Sequence, residues 1–282
     1  DTMLNRTINI KGELFSLDRP VVMGILNVTP DSFFAGSRKR TEAEIAARIE
    51  EILAQGGDWI DIGGYSSRPD ATPVTADEEM RRLELGLEIL SRDYPSVPVS
   101  VDTFRADVAR CCVEKYGVAM INDISAGELD PEMFRTVADL KVPYIMMHMR
   151  GTPQTMASLT DYTNLMDEIM LYFAEKVRQL CLMGVSDLIL DPGFGFSKTL
   201  EQNYELMAHL REFGIFDLPI LVGISRKRMI YQLLGGSPEE SLNGTTALHA
   251  YALLNGADIL RVHDVKEAVE AVRIVQKIKE YC

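Results

Sequence analysis

Eight short apolar runs, separated one from the next by helical patterns, constrain this chain more than any other feature of it. The runs span residues 21–26, 59–62, 97–101, 118–121, 143–147, 188–190, 220–224 and 258–262. Helical patterns lie between them, such as 41–55, where Ile45, Ile49, Ile52 and Leu53 share a face, 77–92, 165–183 and 265–279. A strand that is apolar at every position is buried on both faces, which requires parallel pairing with helical crossovers. Eight βα units with no linker, low-complexity segment or change of composition between them predict an α/β fold, a closed (β/α)8 TIM barrel, over a doubly wound sheet. The barrel is expected to take up residues 3–282 as one domain, and Asp1 and Thr2, which stand ahead of a Met, carry no structural weight. An alternating opening, 7–10 and 13–17 around Lys11-Gly12, reads as a β-hairpin that would cap the bottom of the barrel.

Composition excludes several partners. A net charge of −13 opposes the counterion release that drives binding to nucleic acid or anionic lipid, so neither is expected. No apolar run approaches the roughly 20 residues of a membrane-spanning helix, and the first residues lack the apolar core of a secretory signal. Cys111, Cys112, Cys181 and Cys282 show neither a disulfide framework nor a CxxC spacing. A cytoplasmic protein is the expectation.

In a barrel of this kind the chemistry sits where strands end and βα-loops begin. Those positions hold Asn27, the Asp61-Ile62-Gly63-Gly64 turn, Asp102, Asn122, His148, Asp191, Ser225 with Lys227, and Arg261 with His263. Each alone is an ordinary cap or turn residue, but together they describe a polar mouth. Arg261 and His263 are two apart, so strand alternation points both to one face, where they form a compact anion site. The cations Arg226, Lys227 and Arg228 open a helix and oppose its dipole, which an anionic or electron-rich ligand nearby would offset, and the apolar strand before them argues that at least one faces the mouth. Asp191-Pro192-Gly193-Phe194-Gly195-Phe196 joins a carboxylate to glycines and aromatics, a combination suited to a flat ligand with a guanidine-like edge. Four dispersed histidines give no transition-metal spacing, whereas a hard Mg²⁺ could be held by the Asn27 oxygen and a substrate phosphate.

These residues resemble dihydropteroate synthases of folate biosynthesis. The segment Met23-Gly24-Ile25-Leu26-Asn27-Val28-Thr29-Pro30-Asp31-Ser32-Phe33 is similar to that family's first signature, and Asp61-Ile62-Gly63-Gly64 with Ser66-Ser67-Arg68-Pro69 to its second. Val101-Asp102-Thr103, Ile121-Asn122-Asp123-Ile124, the Asp191–Phe196 segment, Ser225-Arg226-Lys227 and Arg261-Val262-His263 continue the resemblance in order over almost the whole chain. It implies condensation of 6-hydroxymethyl-7,8-dihydropterin diphosphate with p-aminobenzoate to give 7,8-dihydropteroate and pyrophosphate, with Mg²⁺ as cofactor, in a homodimer sensitive to sulfonamides. It further implies pterin binding by Asp102, Asn122, Asp191, Phe196 and Lys227, and diphosphate binding by Asn27, Ser67, Arg68, Arg261 and His263. Asp102, Lys227, Arg261 and His263 would be catalytic and Asn27 would hold the metal. Phe33, Ser67, Arg68, Pro69, Phe196, Ser225 and Lys227 would form the p-aminobenzoate pocket. The chain departs from the family pattern at Phe34, Ala35, Tyr65, Ser67, Asp70 and Ser197, mostly in the two loops.

Three rivals are weighed. A pterin-dependent methyltransferase of the same fold has no use for the Ser-Arg-Lys and Arg-Val-His anion grip. A Schiff-base aldolase using Lys227 would need an apolar surround for that lysine. A non-catalytic pterin-binding homologue would be expected to have lost catalytic-loop residues, and the main ones are present.

Overall fold

The computed structural model describes residues 6–29 and 38–282, so Asp1, Thr2, Phe33, Phe34 and Ala35 lie outside the described residues. In chain order the elements are β1 (Thr7–Ile10), β2 (Glu13–Ser16), β3 (Val21–Asn27), α1 (Arg38–Ala54), β4 (Trp59–Gly63) and α2 (Ala76–Asp93). There follow β5 (Val99–Asp102), α3 (Ala106–Tyr116), β6 (Met120–Asp123), α4 (Met133–Leu140), β7 (Tyr144–Met147), α5 (Leu165–Leu182) and β8 (Leu188–Asp191). The last third holds α6 (Leu200–Ala208), β9 (Leu221–Val222), α7 (Arg228–Leu234), α8 (Leu242–Leu254), β10 (Ile259–Val262) and α9 (Val265–Lys279).

Strands β3 to β8 pair in parallel, each with the next; β10 pairs with β3, and β9 with β10. A parallel bridge between Leu190 and Ile220 closes the ring, so the (β/α)8 barrel read from the apolar runs is the fold. Strand β9 is only two residues long, against five expected. Pro219 has no N–H to give, and beyond Val222 the chain turns at once, the Lys227 N–H donating to the Ile224 carbonyl at 3.1 Å. Among the described residues no helix is long and apolar enough to cross a membrane.

Alternation along the strands sorts the barrel interior into layers. Val21, Met23, Trp59, Met120, Ile145, Ile189, Leu221 and Ile259 form an apolar floor, sealed from below by Ile8, Ile10 and Leu17 of the β1–β2 hairpin. Phe15 of that hairpin packs on Trp59 with ring centroids 5.3 Å apart. The hairpin therefore caps the bottom, as its alternation predicts. The outward strand residues, among them Val22, Ile60, Val101, Ile121, Leu190 and Leu260, pack against the helices in a second, larger core. Two residues further along, most inward positions of the barrel are polar, among them Asp61, Asp102, Asn122, Asp191 and Arg261.

The helices start where the sequence supplies caps. Thr75 accepts from the Glu78 N–H at the start of α2, Asn164 from Asp167 at α5, and Thr199 with Gln202 forms a reciprocal box at α6. Each such cap stabilises its helix by about 1 kcal/mol and fixes where the preceding loop leaves the mouth.

Candidate active site

At the centre of the mouth lies an ion cluster drawn from four strands. Arg261 on β10 donates through Nε to Asp61 Oδ2 on β4 at 2.7 Å, and its Nη2 lies 3.5 Å from Asp102 Oδ2 on β5. Asn122 on β6 donates its amide to the same Asp61 oxygen at 3.1 Å. That bond orients the amide with its carbonyl turned away from Asp61, ready to accept from a ligand N–H. Tyr65, in the loop after β4, donates its hydroxyl to Asp102 Oδ1 at 3.0 Å. Asp61 is fully buried, and its Oδ1 has no hydrogen-bond partner among the described residues. Burial, together with the neighbouring Asp61, pushes the Asp102 carboxyl up to about 7, against the pull of Arg261 and the Tyr65 hydroxyl. Arg261 is held above its ordinary range, since the carboxylates of Asp61 and Asp102 outweigh the opposing effect of burial.

The second group comes from β8 and β9. Asp191 Oδ1 accepts the Gly193 N–H at 3.0 Å, and among the described residues no donor meets its other oxygen. Burial raises this carboxyl above its ordinary value, while Lys227 and the Gly193 N–H act the other way. Gly193 has φ +81°, and a Cβ there would stand 2.0 Å from the His148 carbonyl oxygen, so only glycine lets the loop turn so close to the β7 end. The Lys227 ammonium donates to the Phe194 carbonyl at 2.7 Å and sits 5.0 Å over the Phe196 ring. Burial pushes it down to about 8, with Asp191 opposing. Of the three adjacent cations, Lys227 is thus the one that faces the mouth; Arg226 makes a two-pronged ion pair with Asp264, at 2.7 and 3.1 Å, and Arg228 is exposed.

His263 closes the ring of groups. Its backbone N–H donates to Ser225 Oγ at 3.1 Å, and its carbonyl accepts from Arg48 of α1 at 2.9 Å. Burial, with Arg261, Arg226 and Arg48 close by, pushes the imidazole down to about 3. Asn27 ends β3 opposite Gly63 of β4 and is partly exposed. Ser67 is half-buried, while Arg68 and Pro69 are exposed in a turn closed by the Ala71 N–H on the Arg68 carbonyl at 3.1 Å. The mouth therefore gathers Asp102, Asn122 and Arg261 in one bonded cluster with Asp61, with Asp191 and Lys227 in electrostatic reach of it and His263 and Ser225 beside them. Ser67, Arg68 and Pro69 stand on the rim, and Phe33 lies outside the described residues.

Some expectations change. His148 is not a mouth residue: it directly follows the inward Met147, and alternation sends it behind the barrel, where it is 2% exposed and its Nδ1 lies 2.9 Å from the Lys198 ammonium. Lys198 also donates to the carbonyls of Gly193 and Phe196, both at 2.9 Å, and so pins the glycine-rich loop from its far side. Sequence reading also assigns no role to Ile124, Met147, Met149 and Met156, which form an apolar wall with Phe196 beside Tyr65. Its signal was the inward phase of β7, which puts Met147 level with Asp191. No group of three or more His, Cys, Asp or Glu side chains that could hold a metal ion occurs among the described residues.

With this geometry in view, likenesses to known proteins are informative. Residues 23–263 match the family described as pterin binding enzyme. The dihydropteroate synthase of Escherichia coli is 41% identical over 268 residues, 94% of each chain. A crystal structure of the Yersinia pestis dihydropteroate synthase in complex with a sulfonamide drug superposes with a TM-score of 0.90 at 39% identity, over 98% of this chain and all of that one. The Xanthomonas albilineans dihydropteroate synthase with 4-aminobenzoic acid gives a TM-score of 0.90 at 38% identity, over 98% of this chain and 99% of that one.

Proposed function

The chain belongs to the pterin binding enzyme family, among its dihydropteroate synthases, and from that premise we propose how its barrel mouth condenses 6-hydroxymethyl-7,8-dihydropterin diphosphate with p-aminobenzoate. The observation that carries the assignment of roles is the convergence, on one mouth, of donor-hungry carboxylates, an amide, a lysine and a buried arginine. The free oxygen of Asp191 suits the amino and ring N–H donors of a pterin, and the Asn122 carbonyl suits a further ring N–H. Lys227 lies over the Phe196 ring and would reach the carbonyl side of a ligand stacked there.

The diphosphate belongs at the β10 end. Nη1 of Arg261 meets no acceptor among the described residues and is free for a phosphate oxygen. Burial and the arginines around it hold His263 neutral, and an incoming polyanion, by offsetting those arginines, raises its affinity for a proton. The C–O bond between the pterin methylene and the diphosphate breaks first, and pyrophosphate leaves with the electron pair. The resulting cation, spread over the pterin ring, is stabilised by the Asp102 carboxylate. The amine of p-aminobenzoate then attacks the methylene carbon and gives up a proton, which the released pyrophosphate can accept. Its aryl ring would lie between Phe196 and the rim residues Ser67, Arg68 and Pro69, with Ser225 and Lys227 below and Phe33 from the first loop.

Mg²⁺ fits as a cation held by the neutral oxygen of Asn27 and by substrate phosphate, because the described residues offer it no carboxylate cage. When bound, it would neutralise charge on the leaving diphosphate. Incubating the protein with the two substrates and Mg²⁺ is expected to yield dihydropteroate and one equivalent of pyrophosphate by mass spectrometry. Product absent under those conditions would overturn the reading.

We also assign the protein to the cytoplasm, in keeping with its free thiols, and to a homodimer. The helix α8 carries no charged residue, and Leu242, Tyr251 and Leu254 on it are 37–42% exposed beside Leu233 and Leu234 of α7, 58% and 64% exposed. A second copy would cover this apolar face. Sedimentation is expected to give twice the chain mass, and Leu234→Glu with Leu254→Glu to give monomers; a wild-type monomer would rule the dimer out.

A further inference from the structure

Tyr65 is one of the positions at which the chain departs from the second signature. Its ring is 8% exposed, meets Phe104 edge-on at 5.2 Å, and packs in the apolar wall with Ile124 and Met147. The root of its loop lies tight against α2, where a Cβ on Gly64 would stand 2.9 Å from the Glu79 carbonyl oxygen. Packing therefore fixes the ring, and the ring delivers the hydroxyl to Asp102 Oδ1 at 3.0 Å. Burial and the charges of Asp102 and Glu79 hold the phenol well above its ordinary range, so it stays a neutral donor at every working pH.

We propose that Tyr65 is a positioning residue for the condensation, its hydroxyl holding the Asp102 carboxylate as an anion with Oδ1 occupied and Oδ2 turned toward Arg261 and the pterin. The inference rests on the role given to Asp102 above. Among the described residues the charged groups that act most on Asp102 are Asp61 of β4 and Glu79 of α2, which disfavour its ionisation, and Arg261 of β10 and Lys227, at the start of α7, which favour it. Tyr65 is the neutral donor in this set, and a hydrogen bond to an anion is among the stronger ones. A carboxylate poised near neutral pH is sensitive to the loss of one such bond.

The test is Tyr65→Phe, which keeps the ring and removes only the hydroxyl. The acid limb of kcat/KM for the pterin substrate is expected to move up by about one pH unit, a tenfold change in the ionisation of Asp102. At neutral pH kcat should fall while KM for p-aminobenzoate stays as it was. A second measurement needs no variant: in carbon NMR of the unaltered protein, the Tyr65 Cζ resonance should follow the titration of the Asp102 carboxyl. An acid limb superimposable on wild type, or a Tyr65 resonance flat through that titration, overturns the inference. Asp102→Asn separates the two levels. If that variant is inactive while Tyr65→Phe is unaltered, only the role of Tyr65 fails; if it retains full activity, the role of Asp102 fails first.

Discussion

Replacing Asp191 by Asn is expected to lower the affinity for a pterin ring by about two orders of magnitude. The carboxylate has two accepting oxygens, one taken by the Gly193 N–H and one open. In Asn one of them becomes an NH2. If Oδ1 keeps its bond to Gly193, the amide group faces ligand N–H donors, and two donors then meet in a buried site. The fold should tolerate the change, because burial already disfavours the charge on Asp191 and the neutral amide removes that penalty. Calorimetry with a pterin analogue measures the effect, and thermal unfolding checks the fold. Affinity within a few-fold of wild type would remove Asp191 from the pterin site.

The second large effect is expected at Arg261, where stability and function are lost together. Asp61 is fully buried, and without the guanidinium it keeps, among the described residues, only the Asn122 amide; Asp102 loses its ion-pair partner as well. Breaking a buried ion pair from one side costs about 3–5 kcal/mol. For a chain of this length Arg261→Ala should therefore lower Tm by roughly 10 °C. It should also weaken a pterin diphosphate far more than a pterin lacking the diphosphate, because a charge-assisted bond to phosphate is removed. His263→Ala should show the same ligand preference with little effect on Tm, since the backbone of His263, not its ring, makes the bonds to Ser225 and Arg48. Equal losses for both ligands would make Arg261 a support of the ring site alone.

Most of the barrel was legible because its signals are local. A continuous apolar strand followed by an amphipathic helix is read within one window, and eight repeats leave few alternatives. The ion cluster was not legible in the same way. Asp61 and Arg261 are 200 positions apart, and nothing in either neighbourhood announces the other. His148 shows the cost of reading strand ends by polarity alone, since alternation from the inward Met147 already turns it out of the mouth. Lys198 escaped for a related reason: apart from the His148 ring, its partners are backbone carbonyls, which every sequence has. The first loop, with Phe33, lies outside the described residues.

The shortness of β9 bears on how the ring of strands opens. Every other neighbouring pair is joined by a ladder, but between β8 and β9 the join is the Leu190–Ile220 bridge, with the Leu190 N–H on the Pro219 carbonyl at 2.9 Å. This is the seam of the barrel, and local opening concentrates where backbone pairing is thinnest. Asp191 ends the strand on one side of the seam, and Lys227 follows the strand on the other, already riveted across it to the Phe194 carbonyl. A ligand gripped by both Asp191 and Lys227 adds its own bonds across the same gap. On the binding mode proposed above, substrate would serve as the missing rungs of the ladder, and the liganded enzyme would be a more completely closed cylinder than the free one.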